Sequence, residues 1–119
     1  MSKEMVFQNV GSQEGFTLEN QDRKIKVTGR KDIQVYLEDL FVTEGQFVIL
    51  TAPKAQHKVR YVQSCVHDDG IEVELGIEET GTRLFYKMCS KEECCHIFHD
   101  FYKNEFVPNM EEYKPVQFL

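Results

Sequence analysis

Asp68-Asp69-Gly70-Ile71-Glu72-Val73-Glu74-Leu75-Gly76-Ile77-Glu78-Glu79 is the stretch that sets the class of fold. Ile71, Val73, Leu75 and Ile77 alternate with Glu72, Glu74 and Glu78. A strand has a side-chain period of two, so the aliphatics share one face and the carboxylates take the other. Such a strand is half in a core and half in water. Asp-Gly before an alternating run is a hairpin signal, so Lys58 to His67 is expected to lie antiparallel beside it. On the other side, Thr80-Gly81 turns the chain and Thr82 to Cys89 returns with Leu84, Phe85, Tyr86 and Met88. The result is a meander, widened by the apolar run Gln46 to Ala52 with Phe47, Val48, Ile49 and Leu50. Pro53 is expected to close that run, leaving Pro53 to His57 as a loop.

Two helices flank these strands. Ile33, Tyr36, Leu37 and Leu40 fall at i, i+3, i+4 and i+7, one apolar stripe on a helix over about Arg30 to Leu40. Cys94, Ile97, Phe98 and Phe101 repeat the spacing in a second helix. Ser90 and Glu93 form a capping box at its start, and Lys103-Asn104 mark its end before Pro108. Before the first helix, Met5 to Val10 reads as a strand. Phe16 to Leu18 and Lys24 to Val27 read as a hairpin turning at Glu19-Asn20-Gln21-Asp22. At the end, Lys114 to Leu119 is a short apolar tail able to dock on the sheet. The expected fold is α+β: one domain over residues 1–119, with an antiparallel sheet of about four to six strands and two helices packed on one face. The edge strand, either the N-terminal one or Gln46 to Ala52, is where subunits could pair. Oligomeric state stays open.

With 119 residues, 41% of them hydrophobic, the chain can bury an ordinary core without metals or disulfides. Nine Phe and five Tyr supply its bulk. No stretch approaches the ~20 apolar residues of a membrane span. Met1 to Phe7 lacks the apolar run of a signal peptide, so the cytoplasm is the expected location. There the four cysteines are expected as free thiols.

The net charge of −6 is unevenly distributed. Between Tyr61 and Thr82 lie Asp68, Asp69, Glu72, Glu74, Glu78 and Glu79 with no Lys or Arg, and the remainder holds 14 acidic and 14 basic residues. The acidic excess therefore belongs to one hairpin. Such a patch repels nucleic-acid backbones and attracts basic surfaces. The reading takes those six residues as a partner-binding face; the alternative is an ordinary solvated sheet surface.

Other chemistries find less support. Cys65 and His67 share a strand face, and Cys95 and His99 sit at i, i+4 on a helix, which together would supply four zinc ligands. But no CxxC occurs, Cys89-x4-Cys94 is not a finger spacing, and Cys94 lies on the core stripe, where cysteine acts as a small hydrophobe. Cys89 precedes a helix start, where the dipole favours a thiolate, yet Glu92 and Glu93 oppose it and no base is identifiable. Glu72 and Glu74, about 7 Å apart along a strand, lack a carboxylate partner on another element. The seven glycines make neither GxGxxG nor GxxxxGK[ST]. Arg23, Lys24, Lys26, Arg30 and Lys31 form a modest basic cluster, read as a solvated face rather than a nucleic-acid site. No catalytic residue, metal ligand or cofactor is assigned.

From Asp32 to Phe118 the order of elements resembles that of small bacterial immunity proteins of polymorphic toxin systems. The matching pieces are Tyr36-Leu37-Glu38-Asp39-Leu40, Phe47-Val48-Ile49-Leu50, Arg60-Tyr61-Val62-Gln63, Ile71-Glu72-Val73-Glu74 and the helix from Ser90-Lys91-Glu92-Glu93 to Phe101. The ending Phe106-Val107-Pro108 and Val116-Gln117-Phe118 is similar to a Pro-x-x-aliphatic-x-aromatic close, with longer spacing after Pro108 and Phe in place of Trp. Residues 1–28 are not covered. The resemblance implies a cytoplasmic inhibitor that neutralises a cognate toxin, often a nuclease or deaminase, by one-to-one binding. A basic toxin or nuclease is thus the expected protein partner. Two other classes stand beside it: a small-ligand-binding or metal-dependent domain with a pocket near Cys65, His67 or His99, and a phage-encoded inhibitor of a defence nuclease.

Overall fold

The structure, a computed structural model, describes residues 14–43 and 45–117. The strand expected at Met5 to Val10 and the last two residues of the tail lie outside them. The chain enters through β1 (Thr17–Asn20) and β2 (Lys24–Lys26). Asn20 makes their turn, its Oδ1 accepting from the backbone N–H of Asp22 at 2.9 Å and of Arg23 at 3.0 Å. A short side-chain acceptor bonding forward to its own backbone is what favours Asn here.

Helix α1 (Arg30–Val42) follows and buries Ile33, Tyr36, Leu37 and Leu40, the expected stripe. Gly29 offers it no side-chain cap. Asp32 instead anchors the entry, its Oδ2 accepting from Thr28 N–H at 2.8 Å and Thr28 Oγ1 at 2.9 Å. A carboxylate in the first turn also suits the helix dipole.

Strand β3 (Phe47–Gln56) pairs with β1 and with β4 (Val59–His67), so the run beginning at Gln46 lies inside the sheet, not at its edge. It also runs past Pro53, where a loop was expected. The reason is the pairing: β1 accompanies β3 only as far as Thr51, so the N–H that Pro53 lacks is not required by that neighbour. The β3–β4 register is irregular between Thr51 and Gln56. His57 and Lys58 close the hairpin with φ of 52° and 70°. Two left-handed residues match the twist of the flanking strands.

β5 (Gly70–Glu79) and β6 (Gly81–Cys89) complete the meander, and β7 (Lys114–Pro115) pairs with Phe85 and Tyr86 of β6. Val116 N–H continues onto Leu84 C=O at 2.8 Å, so the tail docks on the sheet. The strands lie in the order β2-β1-β3-β4-β5-β6-β7, all antiparallel. That is seven strands where four to six were expected, because the short β1, β2 and β7 all join. The edges are blunt: β2 has three residues, two of them lysines, and β7 has two, one of them Pro115.

Helix α2 (Lys91–Tyr102) begins at Ser90, whose Oγ accepts from Glu93 N–H at 3.1 Å. Only this half of the capping box forms. The Glu93 carboxylate accepts from Lys87 Nζ on β6, and Lys87 also reaches Glu112 at 2.8 Å on a single 3₁₀ turn, Met110–Glu112. Both helices pack on the same face of the sheet. Phe98 and Phe101 are fully buried there with Leu18, Leu37, Leu50, Val62 and Leu75, and Phe16 meets Phe101 and Tyr102 edge-on at 5.8 and 5.1 Å. Among the described residues no helix is long and apolar enough to cross a membrane.

On the helix-free face, Tyr61 stands opposite Gly76, and a Cβ at Gly76 would lie 2.2 Å from the Tyr61 ring. The glycine is there to let the ring lie down on the sheet. Gly76→Ala is therefore expected to cost about 1–3 kcal/mol, the range for overpacking. That cost should shrink in a Tyr61→Ala background, as measured by denaturant unfolding of the four-variant cycle.

Candidate binding face

Register determines which side chains share the face without helices. Phe47, Cys65, Glu72 and Met88 stand in one cross-strand row; Ile49, Gln63, Glu74, Tyr86 and Lys114 stand in the next; Thr51, Tyr61, Gly76 and Leu84 in a third. The alternate positions, Val48 and Leu50, Val62 and Ser64, Val73 and Leu75, are buried under the helices. The open face is thus a mixed surface of aromatic, aliphatic and carboxylate groups, most of them half-buried by neighbouring strands.

The six acidic residues singled out in the sequence occupy different settings along the β4–β5 hairpin. Asp68 and Asp69 form its exposed turn. Glu72 and Glu74 lie mid-strand on the open face. Glu78 and Glu79 lie at the far end of β5, roughly 20 Å from Glu72 at strand rise. There Glu78 pairs with Arg60 and Glu79 with Lys58, each at 2.9 Å. Arg60 is brought beside Glu78 by a bulge between Val59 and Tyr61, which also lets Val59 return to the core. These two pairs neutralise one end of the acidic run, and exposed pairs of this kind add little stability.

Glu74 is different. Partial burial pushes its carboxyl above the usual range, and the charge of Glu72 beside it pushes the same way. Burial, then the Glu74 charge, also raises the Tyr61 phenol. Among the described residues no ion pair reaches Glu74. A shallow groove of about 530 Å³ runs beside it, lined by Glu72, Glu74, Tyr86, Lys114, Pro115 and Val116.

The zinc quartet considered from the sequence does not assemble. Cys65 and His67 lie on the open face, whereas Cys95 and His99 lie on α2, across the sheet. His99 Nε2 is 2.9 Å from Gln34 Oε1 on α1, at a cleft of about 270 Å³ that includes Cys95 and His96. What does assemble is a group that the sequence reading had not joined. His67 Nε2 lies 3.3 Å from Cys65 Sγ and 3.0 Å from Glu72 Oε1. The signal was present: a two-residue turn at Asp68-Asp69 makes His67 face Gly70, and counting outward makes Cys65 face Glu72.

The remaining thiols face the core. Cys94 is buried, and its Sγ donates to Ser64 Oγ at 3.4 Å; Ser64 Oγ in turn donates to the Glu72 carbonyl at 2.8 Å. The neighbouring Cys94 thiol lowers the Cys89 thiol against the opposing effects of burial and Glu93. The same contact, with burial, raises Cys94. Among the described residues neither thiol has a hydrogen bond to a histidine or a carboxylate.

No protein-family model, curated protein or solved structure matches this chain.

Glu74 generates a test with a definite sign. Its folded-state pKa lies above the unfolded value, so the native state holds the proton more tightly. Stability is then lost as pH rises through the carboxylate range and stays reduced at neutral pH. Glu74→Gln should raise Tm at pH 7 and leave it unchanged well below the ordinary carboxylate range, as read by thermal melts at the two pH values.

Proposed function

We propose that this chain is a protein-binding inhibitor of the immunity type, which neutralises a basic toxin of the nuclease or deaminase kind through the open face of its sheet. The observation that supports this most is the position of Glu72 and Glu74 at the centre of a face that no helix among the described residues covers, among Phe47, Ile49, Tyr61, Tyr86 and Met88. Such a surface has the make-up of a recognition site: aromatic and Met side chains for contact area, a few charges for selection. Strands β3 to β6 are each ~30 Å long and together ~19 Å across, and the short β1, β2 and β7 extend that face toward the footprint of about 800 Å² that one partner contributes to a standard interface.

The chemistry follows from the partner's own task. A protein that cleaves or modifies nucleic acid carries a basic cleft for phosphates. Carboxylates held on a rigid sheet present negative oxygens to that cleft with no loop to order. Glu74 suits this role because its charge is uncomfortable in the free protein and would be relieved by a partner's cation. A residue that costs stability and gains by binding is what a stability–function trade-off leaves behind. Asp68 and Asp69, exposed at the turn, extend the negative field and steer the approach. On this reading the protein acts in the bacterial cytoplasm, in a one-to-one complex, without a cofactor.

The test is calorimetric titration, at low salt, with the product of a neighbouring gene, expected to be a basic nuclease- or deaminase-type toxin domain. Glu72→Lys with Glu74→Lys should weaken binding by about 100-fold, ~2.7 kcal/mol. Glu78→Gln with Glu79→Gln, removing charges already matched by Arg60 and Lys58, should change it by less than about three-fold. Affinity that survives the Glu72/Glu74 reversal at low salt would sink the proposal.

A further inference from the structure

We propose that Cys65, His67 and Glu72 form a binding site for a zinc-class transition-metal cation on the open face of the sheet. The three donor atoms, a sulfur, an imidazole nitrogen and a carboxylate oxygen, all lie within 4.8 Å of one another. Cys65 and His67 are two apart on β4 and so share its open side. Glu72 is the cross-strand partner of Cys65 on β5. All three ligands therefore stand on paired strands of a rigid sheet, joined by a two-residue turn, and little chain need be ordered when a cation arrives.

The distances come close to those of a coordination polyhedron. With Zn–S of about 2.3 Å and Zn–N or Zn–O of about 2.0 Å, the edges of a tetrahedron are roughly 3.3–3.6 Å. Here the sulfur-to-nitrogen edge is 3.3 Å, the nitrogen-to-oxygen edge, at 3.0 Å, would open by about 0.3 Å around a cation, and the sulfur-to-oxygen edge lies within 4.8 Å. Hydrogen bonding alone accounts for this less well. Both contacts converge on one atom, His67 Nε2, which carries either one hydrogen or one lone pair. It cannot serve both neighbours fully, whereas a cation at the centre satisfies all three at once.

The ligand types choose the cation. A thiolate and an imidazole favour zinc, cobalt or copper over Mg²⁺ or Ca²⁺, which take oxygen donors. Three protein ligands leave the fourth tetrahedral position free, and with the His67 side chain 48% exposed that position opens outward for a water molecule. On binding, the Cys65 S–H bond breaks, its electron pair forms the S–metal bond and the proton passes to solvent. The carboxylates of Glu72 and, two residues along the same strand face, Glu74 supply a negative surround for the cation. The site does not depend on the inhibitor reading, and the experiment that tests it uses no partner.

The purified 119-residue chain, reduced and stripped with a chelator, would be titrated with Co²⁺ and then with Zn²⁺. Expected is a thiolate-to-cobalt charge-transfer band that saturates at one equivalent and is displaced by Zn²⁺ but not by Mg²⁺. Cys65→Ser should abolish the band, His67→Ala and Glu72→Gln should each weaken Co²⁺ binding by about ten-fold or more, and Cys95→Ser should leave it unchanged. Far-UV circular dichroism of each variant confirms the fold, and all three ligands lie outside the core. No band with the native chain, or a band that survives Cys65→Ser, would overturn the proposal; so would displacement by Mg²⁺.

Discussion

The packing of Ile71, Val73, Leu75 and Ile77 beneath two helices is the interaction on which the rest of this molecule depends. Because side chains on a strand alternate without exception, a slip of one residue would turn four aliphatics into water and three glutamates into the core. Burying that row fixes the register of β5 with β4 and β6. The register then places Cys65 against Glu72, Gln63 against Glu74 and Tyr61 against Gly76. The composition of the open face is thus a consequence of the closed one.

Coverage is unequal for a simple reason. Helices of 13 and 12 residues, about 20 Å each, can cover one side of a seven-stranded sheet but not both. The side they leave carries charge where it is least compensated. At the far end of β5, Lys58 and Arg60 answer Glu79 and Glu78. Midway along, the ion pairing of Glu72 among the described residues is with the His67 imidazole, and burial, then the Glu72 charge, raises the Glu74 carboxyl. The proposed recognition and the proposed metal binding both draw on this unevenness, since each asks for negative groups that the described cations do not pair with.

Much of the architecture was readable from local patterns. The stripe of Ile33, Tyr36, Leu37 and Leu40 and that of Cys94, Ile97, Phe98 and Phe101 gave both helices, since a 3.6-residue period survives any tertiary context that buries one face. The Asn20 turn was readable because its side chain bonds its own backbone, and the Asp68-Asp69 turn because Asp-Gly before an alternating run favours a hairpin. What was missed depends on neighbours. Pro53 ends a strand only if the adjoining strand needs its N–H, and β1 has already stopped there. Arg60 looked outside the acidic stretch because it precedes it in sequence, yet a one-residue bulge sets it beside Glu78. Glu93 was expected to complete a capping box, but Lys87 offers it a charged donor instead. The Cys65–His67–Glu72 group needed two strands to be put in register before its members met.

The central claim is that the helix-free face meets the partner. Methyl-labelled NMR of the chain, free and saturated with the partner domain, tests it most directly, because the two sides of the molecule carry separate reporters. Ile49, Leu84 and Met88 stand on the open face, while Val35 and Val42 are 52% and 80% exposed on α1. The account predicts large shifts or broadening at the first three and none at the two valines. Perturbation confined to Val35 and Val42, with Ile49, Leu84 and Met88 unmoved, would contradict it.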